Sequence, residues 1–93
     1  MTNLWLEMCC FINTKNKEQI ITRQELIKHL DSIGMLGKWT DGKIYVRSLD
    51  VYRRYLTKAG YLNDGGKLGF YKIDNNIPTV LSMNQIRKQA YNI

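Results

Sequence analysis

Arg53, Arg54 and Lys58 fall within six residues, and Arg47, Ser48, Thr57, Lys67 and Lys72 lie close on either side. The chemistry open to such a set is anion recognition. Arginine offers a planar fork of donors to a phosphate or a guanine edge, whereas lysine acts as a point charge. Ser48 stands where a helix could begin, and a helix N-terminus presents backbone N–H groups to a phosphate. The surplus of charge is also uneven. Residues 1–50 hold seven Lys/Arg against six acids, giving +1, and residues 51–93 hold seven against two, giving +5 of the net +6. Fields from cations gathered on one surface add, so a local excess draws polyanions more strongly than a scattered one.

Catalytic chemistry has less to work with. Asp41, Asp50, Asp64 and Asp74 sit near expected turns or caps, where Asp bonds to its own backbone, and none forms a carboxylate pair. Residues 65–69 are glycine-rich but lack the spacing of a phosphate-binding loop. A nucleophile–base pair would have to use His29, the single histidine, and nothing around it supports one. No enzyme and no cofactor is expected. The adjacent pair Cys9 and Cys10 cannot reach relaxed disulfide geometry, and with one histidine it cannot complete a zinc set. Both cysteines are expected as small core residues of a reduced, intracellular protein.

The elements that must position the cations are legible from patterning. With 44% hydrophobic and 24% charged residues, the chain is globular, and its length fits one domain over 1–93. A core this small makes each large apolar residue count. Thr2 or Asn3 can cap a first helix ending near residue 13, with Leu4, Met8, Phe11 and Ile12 on one face and Trp5 and Cys9 beside them. Leu6 and Cys10 lie on the other side. Either the domain wraps this helix or a second subunit covers part of it, so Trp5, Leu6 and Cys10 are candidates for self-association. The apolar run over 4–12 is too short for a bilayer and lacks a basic leader, so neither a membrane span nor a signal peptide is expected.

Ile20 and Ile21 can form a short strand. Thr22 and Glu25 then make a capping box, and Ile21 with Leu26 a hydrophobic staple. Leu26, Leu30 and Ile33 follow at helical spacing, and Gly34 can close the helix. Segment 34–48 reads as an insert. It carries the turn signal Asp41-Gly42 and becomes either a short hairpin or a loop pinned by Trp39. Ser48 is expected to cap a helix over 49–59 that Gly60 ends. Its inner arc is Leu49, Tyr52, Tyr55, Leu56 and Ala59, with Val51 at the edge, and its outer arc is Asp50, Arg53, Arg54, Thr57 and Lys58. A hairpin follows, turning at Asp64-Gly65-Gly66-Lys67. After Pro78, Ser82 and Gln85 form a second capping box for a helix over 83–91, in which Ile86, Ala90, Met83 and Ile93 lie toward the inside. The tyrosines, Trp5 and Trp39 are mainly core candidates.

The order helix, strand, capped helix, insert, basic helix, hairpin resembles a winged helix-turn-helix DNA-binding domain. The resemblance rests on Ile20, Ile21, Thr22, Arg23, Gln24, Glu25 and Leu26, on residues 48–62, and on the hairpin 63–73. It implies an α+β fold of three helices plus a β-hairpin wing, with the segment 78–93 as an extra C-terminal helix. The third helix would enter the major groove of double-stranded DNA, and the hairpin would serve as the wing. Arg53, Arg54, Thr57 and Lys58 would then lie along the groove, and Arg47, Ser48, Lys67 and Lys72 would hold the backbone. About five phosphate contacts would give a log–log salt slope near −4.5. A helix-turn-helix joins its helices by 3–4 residues, and the longer insert either docks the pair around its own hairpin or separates the two helices. The lone short domain and its Asn/Lys/Ile/Tyr-rich composition resemble small phage-encoded proteins. The expected function is that of a small DNA-binding regulator or accessory protein. The alternative is a phage virion, assembly or host-protein-binding protein of the same fold. Its setting would be cytoplasmic or within a virion.

Overall fold

Asn3 starts helix α1 (Leu4–Asn13): its Oδ1 accepts the Leu6 N–H at 2.8 Å, supplying a partner for a first-turn donor. The computed structural model describes residues 3–92, so Thr2 as a cap and Ile93 as an inward residue lie outside the described residues. Trp5, Met8, Cys9 and Ile12 are the buried residues of α1. Strand β1 (Ile20–Thr22) runs directly into helix α2 (Arg23–Ser32). Thr22 Oγ1 accepts the Glu25 N–H at 3.0 Å, which is half of the expected capping box. The other half is not made, because the Glu25 carboxylate lies 3.6 Å from Lys15 Nζ instead. Gly34 ends α2 at φ +75°: its N–H donates to the Asp31 carbonyl and the Met35 N–H to the Leu30 carbonyl, the paired bonds of a Schellman close.

The insert resolves into a short hairpin. Lys38 and Ile44 form an isolated antiparallel bridge, and the Trp39 N–H donates to the Lys43 carbonyl at 2.8 Å. Gly42 occupies the left-handed region at φ +87°, where a three-residue hairpin loop requires it. Leu36, not Trp39, anchors this segment in the core; Trp39 is 57% exposed. Helix α3 (Arg47–Lys58) follows. Its N-cap is Val46, with no side-chain capping bond, so Ser48 lies inside the first turn and does not cap the helix. Gly60 at φ +92° closes α3 with the same paired bonds, to Thr57 and Leu56.

Strands β2 (Leu62–Asp64) and β3 (Phe70–Ile73) form the later hairpin. The sheet is antiparallel in the order β1-β3-β2, so β3 is central. Its register pairs Tyr71 with Ile21 and with Asp64, and Lys72 with Ile20 and with Asn63. Successive strand residues face opposite sides. Ile21, Leu62 and Ile73 are buried, so the Tyr71 side is the core side, and Phe70 and Lys72 belong to the outer face. At the hairpin turn, a Cβ on Gly65 would stand 2.7 Å from the Phe70 carbonyl carbon and oxygen, which excludes any larger residue without a backbone shift.

Helix α4 (Met83–Tyr91) begins with the full Ser82/Gln85 capping box and packs along α3. Tyr91 meets Tyr55 edge-on at 5.8 Å, and the Tyr61 hydroxyl donates to Gln89 Oε1 at 3.1 Å. The linker before α4 is clasped to α1. Asn13 Nδ2 donates to the Ile77 carbonyl at 2.9 Å, and the Ile77 N–H donates back to Asn13 Oδ1 at 2.8 Å. One core joins Met8 and Ile12 of α1, Ile21, Leu26 and Leu30, Leu49 and Leu56, Ile73, Ile77 and Ile86. Truncating one of these to Ala typically costs about 2–5 kcal/mol. The result is a small α+β domain of four helices and a three-stranded antiparallel sheet among the described residues. Its radius of gyration, 12.9 Å, is near the ~13 Å of a compact chain of this size.

Three side chains expected inside lie at the surface. Ile33 becomes the exposed C-cap of α2, Trp39 rides on the insert, and Cys10 is exposed beside buried Cys9. The reverse holds for Trp5, which is 8% exposed and meets Tyr52 edge-on at 5.5 Å. Trp5 therefore does not belong to a self-association surface. Of that trio Cys10 is exposed and Leu6 half-buried.

Candidate nucleic-acid interface

Helix α3 owes its outward face to its two neighbours. Its Leu49–Tyr52–Leu56 side enters the core, α4 covers the side of Tyr55, and the hairpin stands beside Arg53 and Thr57. What remains outward at 3.6 residues per turn is a stripe of Arg47, Arg54 and Lys58, within about 40° of arc and spread over roughly 16 Å of helix. All three are exposed, and none pairs with an acid among the described residues. Lys58 Nζ rests 5.7 Å from the Tyr91 ring centre, which holds its stem against α4 while the charge stays in solvent.

Arg53 does not share that stripe. Its side chain is 18% exposed and leans toward the hairpin, with the guanidinium 4.9 Å from the Tyr71 ring centre. Nε is buried, lies 3.9 Å from Asp50 Oδ1 and makes no hydrogen bond to protein. Thr57 is half-buried beside the hairpin, and its hydroxyl donates to the Arg53 carbonyl at 3.0 Å. Arg53 and Thr57 thus line the flank between helix and hairpin, whereas the sequence places them on the outer arc. Ser48 is half-buried in the first turn.

The centre of this flank is an ion pair that local patterning gives no sign of. Arg23 Nε and Nη2 donate to Asp50 Oδ1 and Oδ2, each at 2.9 Å, and so tie the start of α2 to the start of α3. This bidentate bond holds the Asp50 carboxyl below the ordinary carboxylate range against the opposing effect of burial, and the charges of Arg23, Arg53 and Arg54 add to it. The same bond raises Arg23, which stays charged throughout. A second tie joins the same corner to the hairpin, where the Arg23 N–H donates to the Gly69 carbonyl at 2.8 Å. The result is a groove of about 490 Å³ between α3 and the hairpin, lined by Arg23, Asp50, Arg53, Arg54, Gly69 and Tyr71 among others. The only sequence signal for Asp50 was an acid in a first helical turn, which is common for dipole reasons alone.

The hairpin divides its two lysines. Lys67 is exposed at the turn, with Nζ 5.3 Å from the Phe70 ring centre, and Leu68 beside it is fully exposed. Lys72 sits on the outer face of the sheet, 3.5 Å from Glu18 Oε2. It therefore does not join Arg54 and Lys58, and the shared plane expected for all these cations excludes it. Arg47, Arg54 and Lys58 share the stripe and Arg53 lines the groove beside it, while Lys67 stands exposed at the hairpin turn.

Away from this face, His29 stacks flat on Phe11 at 4.2 Å and 9° between planes. No group of three His, Cys, Asp or Glu among the described residues could hold a metal ion, and no helix among them is long and apolar enough to cross a membrane. Burial, with the neighbouring Cys10 adding, pushes the Cys9 thiol up to about 12. Comparison with protein families, with curated proteins and with solved structures finds no match to this chain.

Proposed function

We propose that this chain is a small winged-helix-like protein that binds double-stranded DNA, with α3 in the major groove and the β2–β3 hairpin as its wing. The carrying observation is the stripe of Arg47, Arg54 and Lys58, three exposed cations without acidic partners among the described residues, on a helix whose other sides are covered. An α-helix fits the major groove, and such a stripe meets phosphates along its walls while Arg54 can reach base edges. The element order also supports the reading, since a basic third helix is followed at once by a hairpin. The role would be that of a regulator or accessory protein acting without a cofactor.

Fluorescence anisotropy against a blunt duplex over a range of salt tests this. Four outward cations (Arg47, Arg54, Lys58 and Lys67) predict a log–log slope of about −3.6. Absence of binding to any duplex at low salt rejects the reading. A second reading, a virion, assembly or host-protein-binding protein, draws on the fully exposed Leu68 and on Val80, which suit an apolar partner. It expects a stable oligomer or protein complex by light scattering, with no salt-dependent duplex binding.

A further inference from the structure

The insert between α2 and α3 carries an aromatic platform that the duplex-binding face does not use. Trp39 is 57% exposed at the start of the short hairpin, and Tyr45 meets it edge-on at 5.1 Å and 72°. Asp41 Oδ1 accepts the Lys43 N–H at 3.0 Å and Gly42 completes the turn, so the indole projects from a hydrogen-bonded support. The charges around it are Lys38, Lys43 and Arg47 against Asp41, which already faces Lys43 at 4.0 Å, and Asp50, which is forked onto Arg23. The platform also adjoins the basic face. Trp39, Ile44, Tyr45, Val46 and Arg47 line a shallow cleft together with Asp50, and Asp50 lines the groove beside α3 as well.

An exposed aromatic ring flanked by cations is the chemistry that holds unpaired nucleotides: the ring stacks on a base and the cations meet the adjoining phosphates. A paired base within a duplex offers no free face to such a ring. We infer that Trp39 and Tyr45 take a base of a single strand leaving the duplex that α3 engages, so that the target is a duplex with an unpaired flank. This inference rests on the duplex-binding reading and narrows its substrate.

The test compares a blunt duplex with the same duplex bearing a short thymidine tail at either end, titrated against the wild-type protein, Trp39→Ala and Trp39→Phe. Circular dichroism checks that each variant keeps the fold, as exposure of Trp39 leads one to expect. The tail should tighten wild-type binding about tenfold. Trp39→Ala should remove that gain while leaving blunt-duplex affinity within about twofold, and Trp39→Phe should keep most of it. Tailed DNA should also quench a component of tryptophan emission that Trp39→Phe lacks. Equal affinity for blunt and tailed duplexes, or a gain that survives Trp39→Ala, overturns the inference and leaves the duplex reading standing. If no DNA of any form binds, both fail. Quenching of Trp39 by an acidic synthetic peptide but by no DNA overturns it in favour of a protein-docking arm.

Discussion

The outward stripe of α3 and the paired positions around it carry the same kinds of side chain and hold them in opposite conditions. Arg54 and Lys58 stand in solvent without an acid, whereas Arg23 is forked onto Asp50, Lys72 faces Glu18 and Lys15 faces Glu25. Counted along the chain, these cations are equivalent. In space, the first set has its field directed outward and the second set has it largely cancelled nearby. What an anion meets is therefore fixed by long-range pairing and not by the number of basic residues.

The largest expected effect separates the two sets at equal charge. Arg54→Ala/Lys58→Ala and Lys15→Ala/Lys72→Ala each remove two positive charges. If net charge governs binding, the two double variants lose the same affinity. The structure predicts a loss of about tenfold or more for the first, with the salt slope reduced by about 1.8, and less than about threefold for the second. Anisotropy titrations over a range of salt read both quantities, and equal losses would dissolve the distinction.

A smaller effect lies at the fork. Asp50→Ala leaves Arg23 and Arg53 without their shared carboxylate and should lower stability by about 1–2 kcal/mol, with partial exposure keeping the value modest. Urea unfolding measures it. The acid limb gives the matching pH dependence. A carboxyl held low in the folded state contributes stability that is complete above its unfolded value, near ~4, and is lost as pH falls through the lower folded value. Wild-type stability should therefore fall across that window, and Asp50→Asn should flatten the fall. An unchanged acid limb in the variant would show that the fork contributes nothing.

The smallest effect is at Glu18. Glu18→Gln releases Lys72 on the outer sheet face and should change stability by less than about 1 kcal/mol, as exposed pairs do. Duplex affinity should stay within about twofold, since the freed charge faces away from α3. A clear gain in affinity would place Lys72 back among the binding groups.

Much of the frame was legible because its signals are local. Thr22 and Gly34 bracket α2, Ser82 with Gln85 starts α4, and Asp64-Gly65-Gly66 turns the hairpin, each within a few residues of the structure it makes. The errors lie where distant contacts decide. Ser48 has the right chemistry for a cap, but the chain leaving the insert enters helical geometry two residues earlier than expected, at Arg47. Arg53 and Arg54 share the outer arc of the wheel but stand about 100° apart, and Tyr71 arriving from the hairpin covers the first and leaves the second out. Cys9 and Cys10 differ for the same reason, because the packed side of α1 is set by its partners. The Arg23–Asp50 fork joins positions 27 apart in the chain, beyond the reach of any periodicity.

The clasp between Asn13 and Ile77 bears on how the protein comes into being. A side chain from the first helix holds a segment laid down some sixty residues later, and Ile86 beyond it plugs the same interior that Met8 and Ile12 begin. A nascent polypeptide can lay its first helix on α2 and α3 as they appear, but the clasp waits for Ile77 and the interior for Ile86. Loss of the last segment would therefore open the interior at Ile86 and free one end of the clasp, although α1, α2 and α3 would keep their mutual contacts.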